Sequence, residues 1–302
     1  MPAITHPLDQ IMDEKGVVDP HGISADVFAG RLRNMRQSTI GSFAICPTRV
    51  HYKQVFPDSY GGSDSTIIGT AYHAGMEHVL FAEMIGEDRP KQEDVYVIVA
   101  DAVDDEVMKC GGIELVSWSK MKSVDQLKDM ACRLYDFRMS HELIPAGYHI
   151  VGIETTFRMP WILGWAATGT IDLLLWNERQ GYRIVDHKSA GRAWDTNKHV
   201  KTPQPHWYAK WVRAALETIG HDSGPIPMDF EVMTYAGKYE RRTITATEFT
   251  EDLWNDKALI AAQSMTNDGP WFQNIDNNLC SATYCDAWDW CPSGQAYRIA
   301  TK

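Results

Sequence analysis

The spacing of apolar residues changes twice along the chain, and the changes outline its organisation. Through residues 1–37 polar and apolar positions mix without a period and Pro2, Pro7 and Pro20 interrupt them. Only "ADVFAGRLRNMRQ" has the spacing of a short helix, so this stretch reads as an irregular lead-in. A helical period starts at residue 38. In "STIGSFAICPTRVHY" Ser38 is the expected N-cap, Ile40, Phe43 and Ala44 share a face, and Cys46 and Pro47 mark the end. In "GTAYHAGMEHVLFAEMIG" the stripe Tyr72, Met76, Val79 and Leu80 predicts a helix over 69–86, with His73 and Glu77 one turn apart beside it. Residues 87–147 continue as helix, most clearly in "DQLKDMACRLYDFRMSHEL", and read as an insertion or cap.

From residue 148 the period becomes that of strands. "YHIVGIETTFRM", "AATGTIDLLLW" and "GYRIVDHKS" are expected to be hairpin-connected. A helix follows in "PQPHWYAKWVRAALETIG", with prolines in its first turn, where a missing N–H costs least. Strands in "DFEVMTY" and "RRTITAT", a helix in "EFTEDLWNDKALIAAQSM" and a cysteine-rich tail complete the order. The pattern predicts an α/β fold with a mixed central sheet flanked by helices.

Composition narrows the class. At 302 residues, 44% hydrophobic and 23% charged, the chain is globular, and disordered and collagen-like classes drop out. No run of eighteen apolar residues and no basic-then-apolar leader occurs, so an intracellular, cytoplasmic protein without a membrane partner is expected. The net charge of −11 speaks mildly against a surface coated in basic residues, but gathered carboxylates can equally serve divalent cations.

Candidate chemistry lies in the strands. Asp172 is the only charge in "GTIDLLLW", where an unpaired carboxylate would carry a large desolvation cost. In "YRIVDHK" the alternation of side chains puts Tyr182, Ile184, Asp186 and Lys188 on one side and Arg183, Val185 and His187 on the other. Two carboxylates on neighbouring strands can share a hard cation that polarises a phosphoryl oxygen, with Lys188 orienting water or offsetting charge. The competing reading is an Asp186–Lys188 ion pair that serves packing alone. "HAGMEH" is not the His-Glu-x-x-His zinc motif, because His73 and His78 are five apart.

Four features then follow in order: Gly-x-x-x-His at 69–73, Gly-x-x-Asp at 169–172, Asp-x-Lys at 186–188 and Gln-x-x-x-Tyr at 204–208. The set, spanning residue 38 to the C-terminus with 87–147 unassigned, resembles the PD-(D/E)XK nuclease superfamily and within it the RecB-like exonucleases. The resemblance implies a restriction-endonuclease-like core in a single domain over 38–302. It also implies Mg²⁺ or Mn²⁺ as cofactor, with His73, Asp172, Asp186 and the backbone carbonyl of His187 as metal ligands. Lys188 would be the catalytic lysine, beside Asp172 and Asp186. Gln204 and Tyr208 would flank the site and contact nucleic acid; Asp186 stands where many relatives have Glu. Glu154 matches an acid common at the first core strand, with its role open. Arg192, Lys198, Lys201 and Lys210 could add local positive surface or form a solvated face.

Cys280, Cys285 and Cys291 are spaced Cys-x4-Cys-x5-Cys, and Cys46 is a distant fourth candidate. This is a poor fit to paired zinc knuckles and a better one to a cluster pinning the tail to the N-terminal helix. It resembles the iron–sulfur nucleases of the AddB and CRISPR-adaptation type, which implies a [4Fe-4S] cluster, although their first two C-terminal cysteines usually stand closer. Cys110 and Cys132 are expected to be buried small hydrophobes. The implied activity is metal-dependent cleavage of DNA, from an end or on single strands, in recombination, repair or phage or CRISPR DNA processing. Two other readings stay open: a non-catalytic DNA-end-binding subunit of a helicase or integrase complex, and an iron–sulfur sensor without a nucleic-acid role.

Overall fold

The computed structural model describes residues 6–56, 62–162, 164–276, 279–282, 285 and 287–300. Seven strands form one mixed sheet: β1 (Val17–Val18), β2 (Arg33–Met35), β3 (His149–Ile162), β4 (Trp165–Asn177), β5 (Gly181–Ala190), β6 (Pro227–Thr234) and β7 (Tyr239–Thr245). They run β1-β3-β4-β5-β6-β7, with β2 added alongside β4. β3, β4 and β5 are antiparallel neighbours, as hairpin connections require, whereas β5 and β6 are parallel. A parallel pair needs a crossover, and helix α7 (Gln204–Glu217) supplies it.

The lead-in is more ordered than its sequence suggests. It holds helix α1 (Ser24–Phe28) and the short strands β1 and β2, which pair in parallel with β3 and β4. Two or three residues are too few to carry a visible period. The next helix, α2 (Gln37–Ile45), starts straight after β2, so its extended N-cap is Arg36 and not Ser38. Helix α3 (Pro47–Val55) follows at once, with Cys46 as the extended residue between the two.

Two cores cover the two faces of the sheet. On one face α4 (Asp64–Ile85), α5 (Gln92–Lys109) and α6 (Val124–Met139) bury Ile68, Tyr72, Val99 and Leu134 against Leu173, Leu175 and Val185. On the other, α2, α7 and α8 (Glu248–Thr266) bury Ile40, Trp207, Trp211 and Ala258 against Ile171, Leu174 and Ile184. The helices over 87–147 thus form a layer of the fold around α4. Cys110 and Cys132 are half-buried rather than enclosed, and the Cys110 Sγ accepts from the Gly62 amide at 3.2 Å. Among the described residues no helix is long and apolar enough to cross a membrane.

A buried charge network ties α6 to the sheet. Glu231 on β6 accepts from Arg138 Nε at 2.6 Å, Arg241 Nη2 at 2.8 Å and Tyr239 Oη at 3.1 Å, and both Glu231 and Arg138 are 0% exposed. Arg138 also donates to the carbonyls of Glu142 and Leu143. Burial alone would raise the carboxyl, but the contacts with His187, Arg138 and Arg241 overcome it and bring Glu231 down to about 2. Removing this carboxylate strands two guanidinium groups, so Glu231→Ala should cost about 3–5 kcal/mol in urea unfolding at pH 7. Because the folded-state pKa lies below the ordinary 4.5, the stability Glu231 contributes should be complete above 4.5 and fade as pH falls toward 2. In Glu231→Ala that acid-dependent component should be missing.

Candidate active site

The site forms where the β4–β5 ladder ends. Its last backbone pair is Leu173 with Val185, so Asp172 and Asp186 come next, opposite each other, as the strands begin to part. Side-chain alternation also breaks here: Ile171 packs with Leu174 in one core, while Leu173 and Leu175 pack in the other. On the opposite edge of β4, Glu154 of β3 faces the same point with φ of +46°, a left-handed conformation uncommon outside glycine.

Around this fork the backbone of His187 acts twice. Its N–H donates to Asp172 Oδ2 at 2.8 Å, and its carbonyl oxygen lies 2.8 Å from His73 Nε2. His73 reaches in from α4 because Gly69, one turn earlier, lets the helix approach β5: a Cβ there would sit 3.3 Å from Ser189 Oγ. The other ring nitrogen, Nδ1, is 3.5 Å from Glu154 Oε1 and 3.7 Å from Asp172 Oδ2. Burial would lower the imidazole pKa, but these carboxylates push it up to about 9.

Asp186 is 1% exposed and held by two partners, Lys188 Nζ at 2.7 Å and the side-chain amide of Gln204. Burial pushes its carboxyl up to about 7; Lys188 opposes that shift and Asp172 adds to it. Lys188 is lowered by burial and raised more by Asp186 and Asp172, so its ammonium is firmly protonated. Tyr208 comes one helical turn after Gln204, with its ring against Gly169, where a Cβ would lie 2.7 Å from Tyr208 Cε1. Gln204 and Tyr208 are 5% and 4% exposed; Gln204 holds Asp186 through its side-chain amide, and Tyr208 lines an open recess with Thr168 and Thr170.

The donor set suits a hard divalent cation. Ligand atoms of His73, Glu154 and Asp172 lie within 4.8 Å of one another, with Asp186 across the fork and the His187 carbonyl beside them. Glu154 thus joins the site, where the sequence left its role open. Of the basic residues, Lys198 is lowered by burial; Asp195 beside it opposes that shift, and Lys188 and Arg192, near enough to be felt, add to it. Lys201 is exposed, and Lys210 sits 6.0 Å from the Trp211 ring centroid.

The four cysteines also converge. Thr48 on α3 binds the carbonyls of Trp271 and Phe272 through its hydroxyl at 3.2 and 2.8 Å, and Asn274 binds the Ile45 carbonyl at 2.9 Å. These bonds lay the tail across the α2–α3 junction. Cys46, Cys280, Cys285 and Cys291 then line one cavity, and no disulfide joins them. Residues 277–278, 283–284 and 286, within the same tail, lie outside the described residues. Among the described residues no three of these thiols lie within 4.8 Å of one another. One tetrahedral zinc, with Zn–S of about 2.3 Å, would need sulfurs about 3.8 Å apart.

Among solved structures, a candidate exonuclease from Eubacterium rectale is 11% identical, over 86% of this chain and 90% of that one, with a TM-score of 0.45. LHK-Exo, solved in complex with dAMP, is 12% identical over 66% of this chain and 92% of its own, with a TM-score of 0.28. No curated protein matches the sequence. The sequence profile of the PD-(D/E)XK nuclease superfamily, however, matches residues 35–292, which takes in the fork, both flanking helices and all four converging cysteines. The chain belongs to the PD-(D/E)XK nuclease superfamily.

Proposed function

We propose that this nuclease is a Mg²⁺- or Mn²⁺-dependent deoxyribonuclease that acts on DNA ends or single strands, and that a [4Fe-4S] cluster pins its C-terminal tail. The observation that carries the catalytic reading is the facing pair Asp172 and Asp186 at the strand fork, with Lys188 bound to one of them. His73, Glu154, Asp172, Asp186 and the His187 carbonyl would hold the cation. When bound, it supplies Lewis acidity toward a phosphoryl oxygen and lowers the pKa of water.

The rest of the chemistry falls to the chain's own groups. Displacing Lys188 from Asp186 frees an ammonium to meet the charge that builds on phosphorus-bound oxygen. Gln204 keeps the Asp186 carboxylate turned into the fork through the side-chain amide. His187 binds the Asp172 carboxylate through its N–H and the His73 ring through its carbonyl, so the backbone of one β5 residue would orient both ligands. Arg192 and Lys198 at the rim would draw the phosphate backbone in despite the net charge of −11.

Support for the cluster is the convergence of four thiols on one cavity between the α2–α3 junction and the C-terminal tail. It would serve as a staple, because it joins the α2–α3 junction to the far end of the chain.

End-labelled single- and double-stranded DNA incubated with Mn²⁺ or Mg²⁺ tests the catalytic half. Cleavage should require the metal and fall about 10²–10³-fold or more in Lys188→Ala and Asp186→Ala, with closed circular DNA spared. No cleavage by cluster-intact, metal-loaded protein on any substrate would favour an end-binding subunit instead. For the cluster, anaerobically purified protein should be brown, with about four iron and four sulfide per chain. Cys46→Ser and Cys285→Ser should lose colour and thermal stability together, and zinc alone would overturn the assignment.

A further inference from the structure

The start of α4 carries a buried carboxylate that the catalytic reading leaves unused. Asp64 is 1% exposed, and its Oδ2 accepts from successive backbone amides of the linker between α5 and α6: Ser119 at 2.9 Å, Lys120 at 2.6 Å and Met121 at 3.0 Å. Oδ1 accepts from the Ser119 hydroxyl at 2.8 Å and the Ser65 amide at 2.7 Å. Beside these bonds the Ser117 amide donates to the Gly62 carbonyl and the Asp64 amide to the Ser117 carbonyl, so linker and helix start are laced together. Burial opposes ionisation of this carboxyl, but the bonds from Lys120, Met121 and Ser119 outweigh it and hold its pKa down. One side chain thus fixes the backbone of the linker.

The residue so fixed is a lysine that reaches the end of β5. A Cβ on Gly191, the first residue past β5, would collide with Lys120 Nζ and stand 2.7 Å from its Cε, so the side chain lies against bare backbone. The same ammonium is 5.4 Å from the ring centroid of Tyr235, whose amide binds the Ala190 carbonyl at 3.0 Å. Among the described residues no carboxylate pairs with Lys120 or with Arg192, the exposed residue next to Gly191. Gly191 comes three residues after Lys188, about 10 Å along the strand. A latch that served packing alone would need neither a lysine at its tip nor a glycine beneath it. A lysine held in place without a carboxylate has already given up rotamer freedom, which lowers the cost of gripping an anion.

We infer that Lys120 grips a backbone phosphate of the DNA strand lying at the fork, and that Asp64 positions it there. The inference rests on the nuclease reading and gives that site a substrate contact from the helical layer around α4. An ammonium meets phosphate as a point charge, so the contact adds affinity without reading bases. Asp64 touches neither DNA nor metal and acts through the linker alone.

The test is fluorescence anisotropy in EDTA with single-stranded oligonucleotides of two unrelated sequences, over a series of salt concentrations. Lys120→Ala should bind both about three- to tenfold more weakly, and the slope of log K against log salt should shrink by about 0.7, the share of one phosphate on a single strand. Lys120→Arg should restore affinity and slope. Gly191→Ala keeps the charge but pushes it aside, and should weaken binding in the same direction. Asp64→Asn should weaken binding as Lys120→Ala does, yet cost no further affinity when added to it. Should Asp64→Asn fail to fold, Ser119→Ala, which removes one bond to Asp64, should show the same coupling to a smaller extent. In Mn²⁺-driven cleavage by Lys120→Ala the loss should fall on KM. Native affinity and slope in Lys120→Ala, or a loss that arginine does not restore, would overturn the contact. Additive losses in the double variant would overturn the role of Asp64. Native cleavage by every variant would sink the inference and leave the nuclease standing. A slope that drops in Lys120→Ala while even the native protein cuts no DNA would do the reverse, and a native protein that binds no DNA would overturn both.

Discussion

The structure depends on a ladder that cannot close. β4 and β5 pair as far as Leu173 and Val185, and the next two residues are aspartates facing each other at the edge of two apolar cores. Like charges directly opposite on paired strands repel, and burial deepens the cost. The surrounding contacts answer that one difficulty. Lys188 and Gln204 take up Asp186, the His187 amide takes up Asp172, and His73 leans in from α4 with its imidazole charged. The ladder stops where this pair begins, and the parted strands leave both carboxylates open to partners from the helices.

Much of this was legible in the sequence, for a physical reason. A lone acid in an apolar strand, and an acid and lysine two apart at the end of another, violate the rules of buried strands, and such violations concentrate where function is. The alternation that put Tyr182, Ile184, Asp186 and Lys188 on one side holds in the structure, with Tyr182 and Ile184 in one core and Val185 in the other. The glycines of Gly-x-x-x-His and Gly-x-x-Asp turn out to mark close approach, at Ser189 and Tyr208. Five of the seven strands and helices α2, α4, α6, α7 and α8 followed from periodicity, whereas α3 was not foreseen and the helix expected in "ADVFAGRLRNMRQ" stops at Phe28 and gives way to β2.

What the sequence hid was set by backbone conformation or by distance along the chain. Glu154 enters the site through a left-handed φ that no periodicity announces. β1 and β2 are too short to show a pattern, and with β2 unseen the start of α2 fell on Ser38 rather than Arg36. Gln204 and Tyr208 are legible as helix neighbours, but their inward direction depends on how α7 seats on the sheet. The union of Arg138 with Glu231 spans 93 residues, and neither local stretch foretells it.

That last union changes what the helices over 87–147 are. In the sequence they read as a helical insertion or cap on the core, the sort of segment that a protein could shed. Yet α6 places Arg138 under the sheet, against Glu231, which in turn sits 3.2 Å from the His187 ring. His187 is also the residue whose backbone N–H and carbonyl bind Asp172 and His73. A relative trimmed of these helices could not keep Glu231 as it is, because the carboxylate would lose a buried guanidinium directly beneath the residue that aligns the ligands. Lineages that shorten this region would therefore have to change the floor of the site at the same time, and the two traits should be gained and lost as one.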